Sequence, residues 1–137
     1  MSLDDNKALY RRYIEEAFNG GRVEILDQFL ASSYVFHDAP PALPPGIEGV
    51  RQTIRMFHAS FPDLKIAIEE LVAEGDKVCA RAVTRGTHTG APIMGIVASG
   101  KPFVMRGMTM VRIAAGRITD SWVSNDVLGL MNQLRGS

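Results

Sequence analysis

The chain has 137 residues, 46% of them apolar, with 15 acidic against 15 basic side chains and a pI near 6.8. That is enough for one domain with one core, spanning 1–137. Scattered Lys and Arg with no net charge argue against a nucleic-acid or anionic-membrane surface and favour a small, uncharged, hydrophobic ligand. The start, MSLDDNKALYRRY, lacks the apolar run of a signal peptide, and no window approaches the roughly 18 apolar residues of a membrane span. A single Cys79 inside an apolar strand pattern permits no intramolecular disulfide and reads as a buried thiol in a reducing compartment, the cytoplasm.

Asp4 or Asp5 can cap a first helix reaching about Asn19, whose inner stripe is Leu9, Tyr13, Ile14, Ala17 and Phe18. Gly20-Gly21 ends it. A shorter helix over about Val23 to Leu30 buries Ile25, Leu26, Phe29 and Leu30, and a short strand follows from Tyr34 to His37. DAPPALPPG, with four prolines, can be neither helix nor central strand and crosses the surface as a loop. Val50, Ile54, Phe57 and Phe61 then recur at helical spacing, which predicts a third helix from about Glu48 to Ser60, closed by Pro62. His58 falls off that stripe, on the surface.

Four strands follow, Leu64 to Ala73, Lys77 to His88, Phe103 to Ala114 and Arg117 to Asn125, and then a short helix. Short links at Glu74-Gly75-Asp76 and Ala115-Gly116 make antiparallel hairpins. The strand from Phe103 has few polar residues on either face, so it reads as covered on both sides. The expected fold is α+β, a curved antiparallel sheet wrapped around N-terminal helices with an apolar pocket between them.

The site reading centres on Asp126, at the end of the last strand. By period-2 alternation Ile118, Asp120, Trp122, Ser124 and Asp126 share one face. Asp126 is either a general base inside the pocket or the N-cap of the last helix. His88, in GTHTG, either hydrogen-bonds a developing enolate oxygen or sits on the rim. His37 either points into the pocket beside the base or pairs with Asp38. Of the strand arginines Arg81, Arg85 and Arg106, most should lie over the outer face, with Arg106 the candidate for a buried ion pair. Trp122, Met108 and Met110 are core and, where they face inward, pocket lining, together with Arg106.

GIVASGK at 95–101 has phosphate-loop spacing, but Pro102 replaces the Ser or Thr and a strand follows instead of a helix. Three scattered histidines and one cysteine give no metal spacing, so neither metal nor dinucleotide cofactor is implied. The segment from Thr89 to Pro102 is longer than the usual connection of about two to six residues. With Ile93, Met94, Ile96 and Val97 it reads as a lid, a docking loop for a second copy, or a segment packed on its own sheet. A homodimer burying the sheet's outer face is expected.

The FPDLKIAIEELVAEGDKV segment, GTHTG after a strand, the RGMTMVRI strand and the W-x-x-x-D-x-x-G-L-M-x-Q-L ending together resemble the SnoaL-like polyketide cyclase (ester cyclase) family, within the nuclear-transport-factor-2-like cone superfamily. The sequence departs from the pattern at Ser121, where relatives often have Glu or His, and at Met131-Asn132. The resemblance implies the cone fold, a cofactor-free pocket, and Asp126 as the acid/base, with His88 or His37 assisting. It implies a cofactor-independent cyclase or isomerase acting on a small hydrophobic carbonyl compound. The alternative is an apolar binding module without turnover.

Overall fold

The computed structural model describes residues 2–136. Helix α1 (Leu3–Arg12) begins on a capping box in which the Ser2 hydroxyl accepts from the Asp5 amide and the Asp5 carboxylate accepts from the Ser2 amide. The cap is therefore Ser2, one turn ahead of the expected aspartates. The helix widens into a π-helical segment, Tyr13–Asn19, that turns Tyr13, Ile14 and Ala17 into the core. Asn19 closes it by gripping the Ile66 backbone, donating to the carbonyl (2.9 Å) and accepting from the amide (2.7 Å). The expected second helix is a 3-10 turn (Val23–Ile25) followed by α2 (Leu26–Phe29). Strand β1 (Leu30–His37) starts earlier than Tyr34, and α3 is Ile47–Ser60.

The remaining strands are β2 (Lys65–Glu74), β3 (Lys77–Thr87), β4 (Pro102–Ala114) and β5 (Arg117–Asn125), followed by α4 (Val127–Arg135). Ala115 and Gly116 both have positive φ, 51° and 75°, as a two-residue hairpin of this kind requires. The sheet order is β1-β5-β4-β3-β2. The meander is antiparallel, but β1 joins β5 in parallel, so the curved, unclosed sheet is mixed rather than purely antiparallel. That follows from connectivity: β1 enters from helices, and α3 carries the chain across to the far edge.

One break in register decides which side chains face inward. Opposite Arg112 and Ile113, β5 spends an extra residue, Thr119, between Ile118 and Asp120. The bulge reverses the alternation. Ile118 is fully buried in the core, yet beyond the bulge Ser121, Val123 and Asn125 continue its side while Asp120 and Trp122 turn to the opposite face. On β4 the inner set is Phe103, Met105, Gly107, Thr109 and Val111.

Two buried clusters hold the fold. The larger joins α1, the π-helical segment and α3 to the sheet through residues such as Tyr13, Leu26, Phe29, Ile54 and Val111. The smaller gathers Phe61, Leu64, Phe103, Met105, Leu130 and Leu134 with Ile93 and Ile96 of the 89–101 loop. It docks α4, and Gln133 completes the attachment by bonding the Val104 amide (2.8 Å) and carbonyl (2.9 Å), an edge of β4 that β5 does not reach. The loop is tied to α3 through Gly90 N–H to Ser60 O and Ala91 N–H to Ala59 O. It is therefore packed on its own fold and contributes nothing to the cavity lining. Met94 and Val97 alone of its large apolar side chains stay exposed. No helix among the described residues is long and apolar enough to cross a membrane.

Candidate functional site

Between the inner face of the sheet, α1 with its π-helical extension, and α3 lies a cavity of about 140 Å³. A dry apolar cavity of roughly 150 Å³ accommodates benzene, so this one encloses about one six-membered ring. Anything larger must extend through the open end. The walls are apolar and aromatic, with Phe18, Phe36, Phe57 and Phe103 among them. Polar groups are few: the phenols of Tyr10, Tyr13 and Tyr34, the hydroxyls of Thr53, Thr84, Thr109 and Ser121, and the Asn125 amide. Among the described residues no Asp, Glu, His, Lys or Arg lines it.

The phenols are the distinctive chemistry. Burial pushes Tyr10 up to about 12, with the Thr109 hydroxyl beside it working the other way. Tyr34 is likewise pushed up to about 12 by burial, opposed by Ser121. Tyr13, fully enclosed, is raised well above the ordinary value for the same reason. All three therefore keep their protons at neutral pH and act as hydrogen-bond donors, not as bases. The bulge at Thr119 places Ser121 against Tyr34, and the β4 alternation places Thr109 against Tyr10.

The residues expected from the sequence lie elsewhere. Asp126 is exposed and caps α4, its Oδ1 accepting from the Gly129 amide (2.9 Å) while its own amide donates to the Arg106 carbonyl (3.0 Å). His88 is completely buried in the smaller cluster; its Nε2–H donates to the Ala91 carbonyl (2.8 Å), and Phe61 meets the ring edge-on. Its Nδ1 has no partner among the described residues. It is a core histidine, neither on the rim nor in the cavity lining. His37 faces outward and pairs with Asp120 (2.9 Å) rather than Asp38, stacked flat on Trp122 at 4.5 Å. The Thr119 hydroxyl and Arg112 also face Asp120, and His37, Thr119 and Arg112 together hold its carboxyl below the usual range. The structure brings His37 and Trp122 together and leaves Asp126 and His88 apart from them.

The four residues expected to line the pocket, Trp122, Arg106, Met108 and Met110, are absent from the lining. On β4 they occupy the alternate face to Met105, Gly107 and Thr109, and on β5 the bulge turns Trp122 out. Arg106 is exposed and forms no ion pair with a described residue, whereas Arg81 pairs with Glu69 (2.8 Å) and Glu70 (3.6 Å). His58, expected on the surface, is half-buried and hydrogen-bonds the Phe18 carbonyl, tying α3 to the π-helical segment. Cys79 is free and half-buried, facing outward opposite Met110. No group of three or more His, Cys, Asp or Glu among the described residues is placed to hold a metal. Of the cavity tyrosines the sequence placed only Tyr13 on the inner stripe; Tyr34 marked the start of a strand and Tyr10 was not singled out, because nothing in their spacing distinguishes a lining phenol from a buried ring.

Residues 7–134 match the profile of the SnoaL-like polyketide cyclases. The chain is similar to TsrD from Streptomyces laurentii, at 34% identity over 98% of this chain and 97% of that one, with a TM-score of 0.87. It is similar to IdmH from Streptomyces antibioticus, a candidate polyketide cyclase, at 33% identity over 95% and 98% of the two chains, TM-score 0.82. A candidate polyketide cyclase from Acidithiobacillus ferrooxidans shares 28% identity over 99% of both chains, TM-score 0.84. No functionally curated protein matches this sequence.

Proposed function

The chain belongs to the SnoaL-like polyketide cyclase family, and we propose that its cavity takes an uncharged carbonyl compound and assists ring closure by hydrogen-bond donation from Tyr10 and Tyr34. The observation that carries this reading is a cavity whose only polar equipment is neutral, with two phenols raised to about 12. A 1,3-dicarbonyl compound enolises readily, so ring closure does not require a carboxylate base inside the cavity. The enol carbon attacks a ketone carbon in the same molecule, one C–C bond forms, and the ketone π-bond becomes an alkoxide that takes up the proton released by the enol hydroxyl. No oxidant, reductant or cofactor enters. Phenol O–H groups aimed at the ketone oxygen stabilise the charge as it develops, and the apolar walls strengthen that interaction by excluding water.

Asp126 then has the role of a cap. Asp126→Asn should leave turnover within about twofold, because Asn caps nearly as well as Asp, whereas Asp126→Ala should cost about 1 kcal/mol of stability. Rates and melting curves on both variants check this. Loss of turnover in Asp126→Asn with an unchanged melt would restore Asp126 as the base. The second reading, a carrier that binds an apolar ligand without turnover, is favoured by the same lack of ionisable groups. It requires the phenol variants to change affinity alone.

The sheet's outer face is where we place a second copy of the chain. Val72, Cys79, Met110, Trp122 and His37 lie in register across all five strands, with Met108 beside them. Met108, on the central strand β4, is 53% exposed in the single chain, and Val72, on the edge strand β2, is 57% exposed, so the row carries apolar surface from the centre of the sheet to its edge. Light scattering at micromolar concentration should give the mass of two chains, and Met108→Glu with Met110→Glu should halve it. A one-chain mass for the wild type would remove the homodimer. A free cysteine on that face suits a reducing, cytoplasmic setting.

A further inference from the structure

Asn125 and Gly107 form an unusual pair. They lie directly opposite each other on β5 and β4, at the inner face, and both line the cavity. Asn125 ends β5, whereas Gly107 lies inside β4, where glycine commonly marks a place where another group comes close. Here the close group is the Asn125 side chain: a Cβ added to Gly107 would stand 1.8 Å from the Asn125 amide oxygen. The absence of a side chain at 107 thus lets the amide fold across the sheet at the exposed rim of the cavity. That amide makes no hydrogen bond to another described residue, although it carries both donor and acceptor capacity, and Asn125 is exposed. By contrast, Asn19 spends both ends of its amide on the Ile66 backbone.

The register also fixes its distance from the phenols. The inner-face rungs run Ser121 opposite Val111, Val123 opposite Thr109, and Asn125 opposite Gly107. Each rung advances two residues, about 7 Å. Tyr34 stands beside Ser121 and Tyr10 beside Thr109, so the Asn125 amide lies one rung, roughly 7 Å, beyond the Tyr10 end and about 13 Å beyond the Tyr34 end. One six-membered ring bearing oxygen atoms at opposite positions spans a single rung.

We infer that Asn125, seated over Gly107, is a second polar subsite that selects substrates carrying an oxygen function across the ring from the carbonyl held by the phenols. The inference rests on the cavity being the ligand site. It goes beyond ring-closure assistance by adding a requirement on the substrate: two oxygen functions, both uncharged, because no cation is present in the lining to accept a carboxylate or phenolate.

Titrations with acetophenone and 4-hydroxyacetophenone test it, followed by calorimetry or protein NMR on the full chain. The wild type should bind the hydroxylated probe about three- to tenfold more tightly, the range of one net hydrogen bond. Asn125→Ala should abolish that preference by bringing the affinity for 4-hydroxyacetophenone down to that for acetophenone. Gly107→Ala, whose Cβ would meet both the Asn125 amide and, at 2.9 Å, the Ser124 carbonyl, should also lose the preference; if it fails to fold, Asn125→Ala decides alone. Preference for 4-hydroxyacetophenone retained in Asn125→Ala overturns the subsite while leaving the cavity intact as the ligand site. Failure of the wild type to bind acetophenone at all overturns both.

Discussion

Tyr34→Phe is expected to lower kcat for ring closure about a hundredfold, and Tyr10→Phe by a comparable factor, with KM changed far less. That is the scale of losing one preorganised donor to a developing oxyanion. Removing a hydroxyl from a buried phenol keeps the ring and its packing, so the stability cost should be limited to the hydrogen bond with Thr109 or Ser121, about 1 kcal/mol. The pH profile is equally specific. Both phenols function protonated, and burial raises both to about 12. Activity should therefore stay level from about pH 6 to 10 and fall only as the pH approaches the raised value of about 12. Stability follows the same sign: a phenol whose folded-state value is raised stabilises the fold fully below about 10, and that contribution is lost as the pH rises toward 12. A loss of kcat below pH 6 would instead report a carboxylate or imidazole base.

The second large effect is on the fold. Phe61 is completely buried, and its ring contacts Phe57, Phe103 and His88 at 6.0, 4.5 and 5.3 Å. It sits at the centre of the smaller cluster, which holds α4 and the 89–101 loop against β4. Phe61→Ala removes a ring from a site that rigid strand and helix backbones cannot fill, so it should cost about 3–5 kcal/mol. For a chain of this size that is roughly 10–20 °C in Tm. Hydrogen exchange should accelerate first in α4 and the loop, before the larger cluster around Leu26 and Phe29 opens. Uniform acceleration across both clusters would show that they unfold as one unit.

The elements were largely legible in the sequence because their punctuation is strong. Gly20-Gly21, the proline run at 40–45, Pro62, Gly75 and Ala115-Gly116 bound segments whose periodicity is clear, and observed strands and helices follow those bounds to within a few residues, apart from the early start of β1. The parallel pairing of β1 was not legible, since it depends on where α3 returns the chain. Nor were the facings of β5. A one-residue bulge at Thr119 leaves no mark in a pattern of alternating residues, yet it moves Trp122 out and Ser121, Val123 and Asn125 in. On β4 a signal was present: Arg106 and Arg112 occupy the same parity as Met108 and Met110, and two arginines on one face of a strand mark that face as the exterior. The tyrosines were missed for another reason. Tyr10, Tyr13 and Tyr34 satisfy a core pattern whether they fill space or line it, and only the cavity separates the two.

The central claim is that ligand enters the cavity between the sheet and the N-terminal helices, on the Met105 side of β4 and not on the Met108 and Met110 side. The chain carries its own reporters, because Met105 lines the cavity while Met108 and Met110 are exposed on the opposite face. With methionine methyl groups labelled with carbon-13, titration of acetophenone should shift the Met105 methyl resonance progressively and leave Met108 and Met110 in place. Shifts at Met108 and Met110 with Met105 unmoved would contradict the account and put the ligand on the outer face.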